Sequence, residues 1–225
     1  MVVSHTYQHL RELIVRGRLA PGAWLVEREL ARRLGVSPTP VRAALHRLQQ
    51  EGYIGTFGGE SANRLFVVPL QRADMAELYF LVGDLEGWAA QHCAEAGRST
   101  RTQVANRLRE LNLTLAAHGG TADPDGVTFY ELDAAFHQAI IDAGAGPRLQ
   151  ALLEMIKPQA ERYDRLYMAT FANRIALSAS EHQDILRAIR RGDPQGARAA
   201  AMQNWLNAAE RLGREFERRG DRVES

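Results

Sequence analysis

The sequence predicts a mainly α-helical protein in two parts, a first part of three helices and a β-hairpin and a second part that is entirely helical. Two observations support this prediction. Apolar residues recur at helical spacing along most of the chain, and strand-like runs are confined to residues 53–57 and 65–68. Because Pro69 closes the hairpin, we expect the first domain to cover residues 1–70 and the second to cover residues 71–225.

The composition is that of an ordinary globular chain, with 45% hydrophobic and 24% charged residues among 225. A single cysteine, Cys93, excludes an internal disulfide and favours a reducing compartment. The first 18 residues are polar and charged, unlike a secretory signal. No apolar run approaches the length of a membrane span. We therefore expect a cytoplasmic protein with no membrane partner.

Three helices are predicted in the first part. The first covers residues 5–15 and the second covers residues 26–34, where a glycine ends it. Ser37 and Pro38 together predict the start of the third helix, because serine caps helix N-termini and proline suits the first helical position. This third helix runs to about residue 50, and the hairpin follows it.

In the second part, glycine and proline separate six helical patterns. Asp193 and Pro194 repeat the cap-and-proline start for the last of them. We place these helices at residues 71–96, 100–117, 124–143, 146–171, 174–191 and 193–219.

The second and third helices are separated by three residues that include a glycine. This spacing is that of a helix-turn-helix, in which the second helix of the pair enters the major groove of DNA. Taken alone, such a pair is more often an ordinary helical corner with a solvated arginine face. The first 72 residues, however, hold ten arginines against five acidic residues, while the remainder is net acidic. This charge and the hairpin together favour a winged helix-turn-helix.

The third helix is expected to present Thr39, Arg42, His46 and Arg47 on its solvent face. Its N-terminus carries the positive end of the helix dipole and backbone N–H groups without helical partners, both of which suit a phosphate. Asn63 and Arg64 stand at the hairpin, where a wing would contact DNA.

Residues 7–69 resemble the winged helix-turn-helix of GntR-family bacterial transcription regulators, most specifically in the segments LAPG, LVERELARRLGVS and TPVRAALHRLQQEGYI. The resemblance implies a homodimer that places two recognition helices in a palindromic operator. It implies DNA contacts at Arg28, Ser37, Thr39, Arg42 and the wing from Gly59 to Arg64. Where the family usually has arginine, this chain has Pro38, which cannot donate a hydrogen bond to a base. We therefore expect an altered operator or weaker base discrimination.

A second set of residues indicates a metal site in the helical part. Asp133 and His137 are four positions apart, so their side chains share one helix face beside an apolar stripe. His182 lies on another predicted helix, again beside apolar positions. One Asp–His pair is usually a surface ion pair, and one inward histidine is usually part of the core. Three such groups on inward faces of one bundle are a stronger signal, because helical bundles build metal sites in this way.

From about residue 74 to residue 216 the chain resembles, more loosely, the FCD-type effector domain of FadR-like GntR regulators, in the segments LYFLVGDLEGWAA, FYELDAAFHQAI and EHQDILRAIRRGDPQGARAAAM. The resemblance implies an antiparallel helical bundle that binds a small-molecule effector. It also implies a divalent metal ion, often of the zinc or nickel type, bound by an aspartate and three histidines. Asp133, His137 and His182 match three of these ligands.

The chain departs from this pattern at two places. The position of the third histidine falls on Asn204, whose carbonyl oxygen is a weaker donor than imidazole, or on Trp205 after a shift by one residue. The arginine usually found near Val82 and Gly83 is also missing, so the usual small-carboxylate effector loses its clamp.

These residues favour a ligand-responsive DNA-binding regulator, not an enzyme. Two alternatives stay open. One is a DNA-binding dimer whose helical domain has lost both metal and effector. The other is a metal-dependent hydrolase, because an open metal site can activate water. The second alternative lacks an additional general base near the Asp–His motif and leaves the winged domain unexplained.

Overall fold

The computed structural model describes residues 2–58, 64–118, 127–171 and 175–219. The chain divides into two compact units, of which the first ends at Gln71 and the second begins at Arg72. Within the described ranges, no helix is both long enough and apolar enough to cross a membrane.

The first unit is a winged helix-turn-helix, as the sequence predicts. Its helices are α1 (Val2–Val15), α2 (Glu27–Leu34) and α3 (Pro38–Gln50), and its strands are β1 (Trp24–Leu25), β2 (Ile54–Phe57) and β3 (Arg64–Val67). Strand β3 is central and pairs antiparallel with both β1 and β2. The sequence did not predict β1, because a strand of two residues is too short to show an alternating pattern.

The turn between α2 and α3 depends on one glycine. Gly35 has φ of 65°, in the left-handed region that glycine adopts without a steric penalty, and it ends α2. Ser37 has the extended backbone of a helix N-cap and Pro38 begins α3, as predicted. The Ser37 hydroxyl makes no capping hydrogen bond, however, and the residue is exposed.

The described part of the second unit consists of helices, with bounds close to those predicted. They are α4 (Arg72–Glu95), α5 (Arg98–His118), α6 (Val127–Gly144), α7 (Pro147–Phe171), α8 (Ile175–Arg191) and α9 (Pro194–Arg219). At the start of α9, the backbone N–H of Gly196 donates to Asp193 Oδ1 at 2.9 Å, which confirms the predicted cap.

Helix α4 is the centre of the second unit and contacts all five of the other helices. Small residues on α4 let its neighbours approach closely. A Cβ atom on Gly83 would lie 2.8 Å from Trp205 Cβ of α9, and one on Gly87 would lie 3.0 Å from the Arg198 carbonyl oxygen. This close packing brings side chains from four helices around the middle of α4.

Gly144, the last residue of α6, makes the tightest of these approaches, because a Cβ there would lie 2.0 Å from the Ala89 carbonyl oxygen of α4. We expect Gly144→Ala to lower the free energy of unfolding by about 1–3 kcal/mol, the usual cost of forcing an extra carbon into a packed interior. Urea unfolding followed by circular dichroism measures this change. Gly146→Ala is the matched control, since nothing lies within 4 Å of its Cβ position. Equal losses in the two variants would contradict the packing argument.

Candidate functional site

The face of the first unit around α3 presents most of the side chains nominated for DNA contact. Arg28, Ser37, Thr39, Arg42, His46 and Arg47 are all exposed. Arg64 is exposed at the start of β3. Gly59 and Asn63 lie outside the described residues.

Two of these arginines are held by carboxylates of the same unit. Arg42 Nη2 lies 2.9 Å from Glu27 Oε2, and Arg42 Nε donates to the same oxygen at 3.0 Å. Arg47 Nε donates to Glu51 Oε1 at 2.9 Å, and its guanidinium lies over the Tyr7 ring at 3.8 Å. Such exposed pairs add little stability, but they reduce the number of conformations that each guanidinium samples.

In the second unit, α6 and α8 bring together the three predicted metal ligands. The ligand atoms of Asp133, His137 and His182 all lie within 4.8 Å of one another. His137 Nε2 is 3.6 Å from Asp133 Oδ2, and His182 Nε2 is 3.5 Å from Asp133 Oδ1. Both imidazoles therefore direct the same ring nitrogen toward one carboxylate.

The orientation of His182 is fixed by Asn112 of α5. The Asn112 Nδ2 group donates to the Ala179 carbonyl oxygen at 2.9 Å. This bond turns Asn112 Oδ1 toward His182 Nδ1 at 3.2 Å, where the oxygen accepts a hydrogen bond from the ring N–H. The Phe136 ring stacks on the imidazole with centroids 3.8 Å apart. Burial lowers the pKa of His182 well below its ordinary value, and the charge of His137 adds to the effect. The neutral ring thus presents a lone pair at Nε2.

The orientation of His137 is fixed by Glu86 of α4. His137 Nδ1 contacts Glu86 Oε1, and Lys157 Nζ of α7 lies 3.5 Å from Glu86 Oε2. Burial opposes ionisation of Glu86, which has no exposed surface, but the charges of His137 and Lys157 outweigh it and lower the pKa of Glu86. Burial also works against the charged form of His137, and the Glu86 carboxylate reverses this and raises the pKa of His137. A carboxylate on the far ring nitrogen is a common outer partner of metal-binding histidines.

Asn204 is buried beside this cluster, but its amide is already engaged. Asn204 Nδ2 donates to Glu181 Oε2 at 2.8 Å. Glu181 also accepts from Asn207 at 2.9 Å and from Arg211 Nη1 at 2.6 Å. The carbonyl oxygen of Asn204 takes no part in these bonds.

Trp205 lies at both places where the sequence departs from the family pattern, next to the missing histidine and against the position of the missing arginine. Its Cβ occupies the space next to Gly83, so a side chain at position 83 would collide with it. The indole packs against Tyr79 and His137, with ring centroids 5.3 and 5.4 Å away. Lys157 Nζ, from the one lysine in the sequence, lies 5.9 Å from the same ring.

Several residues of this site were missed by sequence reasoning, namely Glu86, Asn112, Lys157, Glu181 and Arg211. Two of them carried a usable signal. Glu86 is a charged residue inside an apolar helix, a position that is expensive without a partner. Lys157 is the single lysine among 28 basic residues. The others sit on ordinary amphipathic helices and become informative only in three dimensions.

Comparison with known proteins agrees with this architecture. Residues 3–63 match the family described as bacterial regulatory proteins of the gntR family, and residues 77–207 match the FCD domain. An uncharacterized HTH-type transcriptional regulator from an unstable DNA locus of Streptomyces ambofaciens is 32% identical over 207 residues, covering 90% of this chain and 80% of that protein. The uncharacterized HTH-type regulator YdhC of Bacillus subtilis is 25% identical, covering 92% and 88%. The structure of E. coli McbR/YncC matches with a TM-score of 0.71 at 20% identity, covering 96% and 99%.

A winged helix-turn-helix followed by a domain that is helical throughout its described part is the architecture of a two-domain transcription regulator. The chain belongs to the GntR family and carries an FCD domain, which confirms both resemblances. DNA binding and effector binding are general properties of this family. The matching families and relatives are regulators and not enzymes, so the hydrolase alternative is set aside.

A pH dependence follows from a carboxyl group near the cluster. The fully buried Tyr79 donates its hydroxyl proton to Asp164 of α7. Burial raises the pKa of Asp164 to about 7, although the Tyr79 hydrogen bond acts in the opposite direction. Since the aspartate pKa in an unfolded chain is about 3.9, the folded state binds this proton more tightly. Its contribution to stability is therefore complete below about pH 4 and is lost as the pH rises to about 7.

We expect Asp164→Asn, which imitates the neutral carboxyl, to remove this loss. Relative to wild type, its free energy of unfolding should be similar near pH 4.5 and higher by roughly 2–4 kcal/mol near pH 8. Urea unfolding at the two pH values measures the difference. Asp142→Asn, at an exposed position of α6, is the charge-matched control. A constant difference between Asp164→Asn and wild type at both pH values would contradict the assignment.

Proposed function

We propose that this regulator binds a palindromic operator as a homodimer in the cytoplasm, and that a small-molecule effector in the helical domain favours one arrangement of the two winged domains. The observation that carries the DNA-binding part is the exposed α3 face, where all the described candidate contacts reach solvent. Two copies of α3 would then read half-sites about one helical turn apart.

The outer face of α4 supports the homodimer. Phe80, Leu81 and Trp88 are 49%, 41% and 46% exposed, and positions 81 and 88 lie on one face about two turns apart. A row of large apolar side chains on a helix surface is typical of a protein–protein contact. We assign a second copy of the chain to this face, because a twofold-symmetric dimer matches the symmetry of a palindromic operator.

We also propose that Asp133, His137 and His182 hold a divalent metal ion of the zinc or nickel type. The residues fit such an ion, because His182 Nε2 is buried and has no hydrogen-bond partner among the residues that the structure describes. Two imidazoles and one carboxylate are also a common donor set for these metals. A bound ion would supply an open coordination position for an oxygen atom of the effector. Glu181 binds the amide nitrogen of Asn204 and leaves its carbonyl oxygen available as a fourth, weaker ligand.

The operator-binding proposal predicts a saturable, sequence-dependent shift with the DNA immediately upstream of the protein's own gene, at two chains per site. Arg28→Ala and Arg42→Ala should each weaken binding about tenfold, as expected for loss of one base or phosphate contact. Arg16→Ala is the matched control, since Arg16 is an exposed arginine just after α1 that pairs with Glu12. Gel-shift titration measures these affinities. The absence of any sequence-dependent shift up to micromolar protein would overturn the proposal.

The metal proposal predicts that protein equilibrated with zinc or nickel and then desalted keeps about one ion per chain. His137→Ala and His182→Ala should lose most of it. Glu86→Gln should weaken zinc affinity by about 10–100-fold, because it removes the carboxylate that orients His137. Glu77→Gln, at an exposed position of the same helix, is the control. Elemental analysis and competition with a chelator give the readout. A wild-type protein that keeps no ion would instead support a helical domain that binds no metal, and an equal, non-zero metal content in all variants would contradict these ligands.

A further inference from the structure

Three aromatic side chains form a continuous surface on the outer face of the small sheet. They are Trp24 of β1, Phe57 of β2 and Phe66 of β3, and we call them the aromatic platform. The Trp24 ring lies 5.7 Å from that of Phe66 and 5.9 Å from that of Phe57. Trp24 is 46% exposed and Phe57 is 66% exposed. Aromatic groups of this size gain little for folding when they are left in water.

The sheet register places these rings together. Trp24 lies directly across from Phe66, and Phe66 lies directly across from Gly55 of β2. A Cβ on Gly55 would be 2.5 Å from Phe66 Cζ, so the Phe66 ring covers this glycine. Neighbouring residues in each strand point the other way, and Leu25 and Ile54 are buried in the core of the unit. The platform is therefore the solvent face of the sheet.

Arg64 lies on the platform. It is paired across the sheet with Phe57, and its guanidinium carbon lies 4.1 Å from the centre of the Trp24 ring. A stacked guanidinium uses its flat face for the contact and keeps its N–H groups free at the edge. Among the described residues, no carboxylate lies within ion-pair distance of Arg64, whereas Arg42 and Arg47 each have one. Arg64 is thus a cation whose position is fixed by stacking and whose charge no carboxylate in the described part of the chain neutralises.

We propose that Trp24 is a positioning residue that holds Arg64 by cation–π stacking, so that the Arg64 N–H groups bind a phosphate of the DNA backbone beside the wing. This inference rests on the proposed operator binding. A polyanion suits the site, because the first 72 residues are net basic and Arg64 has no acidic partner in the described part of the chain. Stacking before binding removes part of the entropy that a free arginine would lose on contact with DNA.

The test is a double-mutant cycle on operator affinity, measured by fluorescence anisotropy at several salt concentrations. Arg64→Ala should lower affinity about tenfold and reduce the slope of log affinity against log salt by about 1, as for one lost phosphate contact. Trp24→Ala should lower affinity several-fold in the wild-type background and have no effect in the Arg64→Ala background. Trp24→Phe, which keeps an aromatic face, should restore most of the affinity. Arg18→Ala, an exposed arginine elsewhere in the unit, is the charge-matched control.

Thermal unfolding of each variant separates this role from a general loss of structure. A Trp24→Ala protein that loses the same affinity in both backgrounds, or loses none, overturns the positioning role. Operator binding by wild type with no change in affinity or salt slope for Arg64→Ala overturns the phosphate contact while the proposed function stands. A wild-type protein that binds no DNA overturns both.

Discussion

A carboxylate that is completely buried in the middle of α4 imposes the main constraint on the helical domain. An isolated ionised carboxylate at such a depth costs several kcal/mol, and the cost falls only when cations lie next to it. Here His137 of α6 and Lys157 of α7 provide them for Glu86. These helices must therefore meet α4 at this one level. The same contact fixes the His137 ring and turns its second nitrogen toward Asp133, so the demand for charge balance also shapes the candidate metal site.

The missing histidine near position 204 and the missing arginine near position 83 are connected through the indole of Trp205. The space beside Gly83 is filled from α9 by this side chain, and the same residue lies next to the position at which the family places a histidine. Lys157 on α7 supplies a cation beside Glu86. Beside Gly83, the wall of the site is aromatic. A pocket with this wall differs in shape and polarity from one lined by an arginine of α4.

The helices and their bounds were largely predictable from sequence, because Gly35, Pro147 and Asp193 with Pro194 are strong local signals. The short strand β1 was not, since pairing with β3 creates it and no local pattern does. Asp133, His137 and His182 were nominated from helical spacing and do converge. Asn112 and Glu86 could not be assigned in the same way, because their roles come from contacts between helices far apart in sequence.

The start of α3 carries a consequence for how an anion would be held there. The first turn, Pro38-Thr39-Pro40-Val41, contains two prolines, which have no amide hydrogen. Of the four main-chain N–H groups that this turn would normally offer, only those of Thr39 and Val41 are present. Because the Ser37 hydroxyl caps nothing, it is free to act as a substitute donor. An anion bound at this end of the helix would therefore rely on alcohol side chains for contacts that peptide groups usually make.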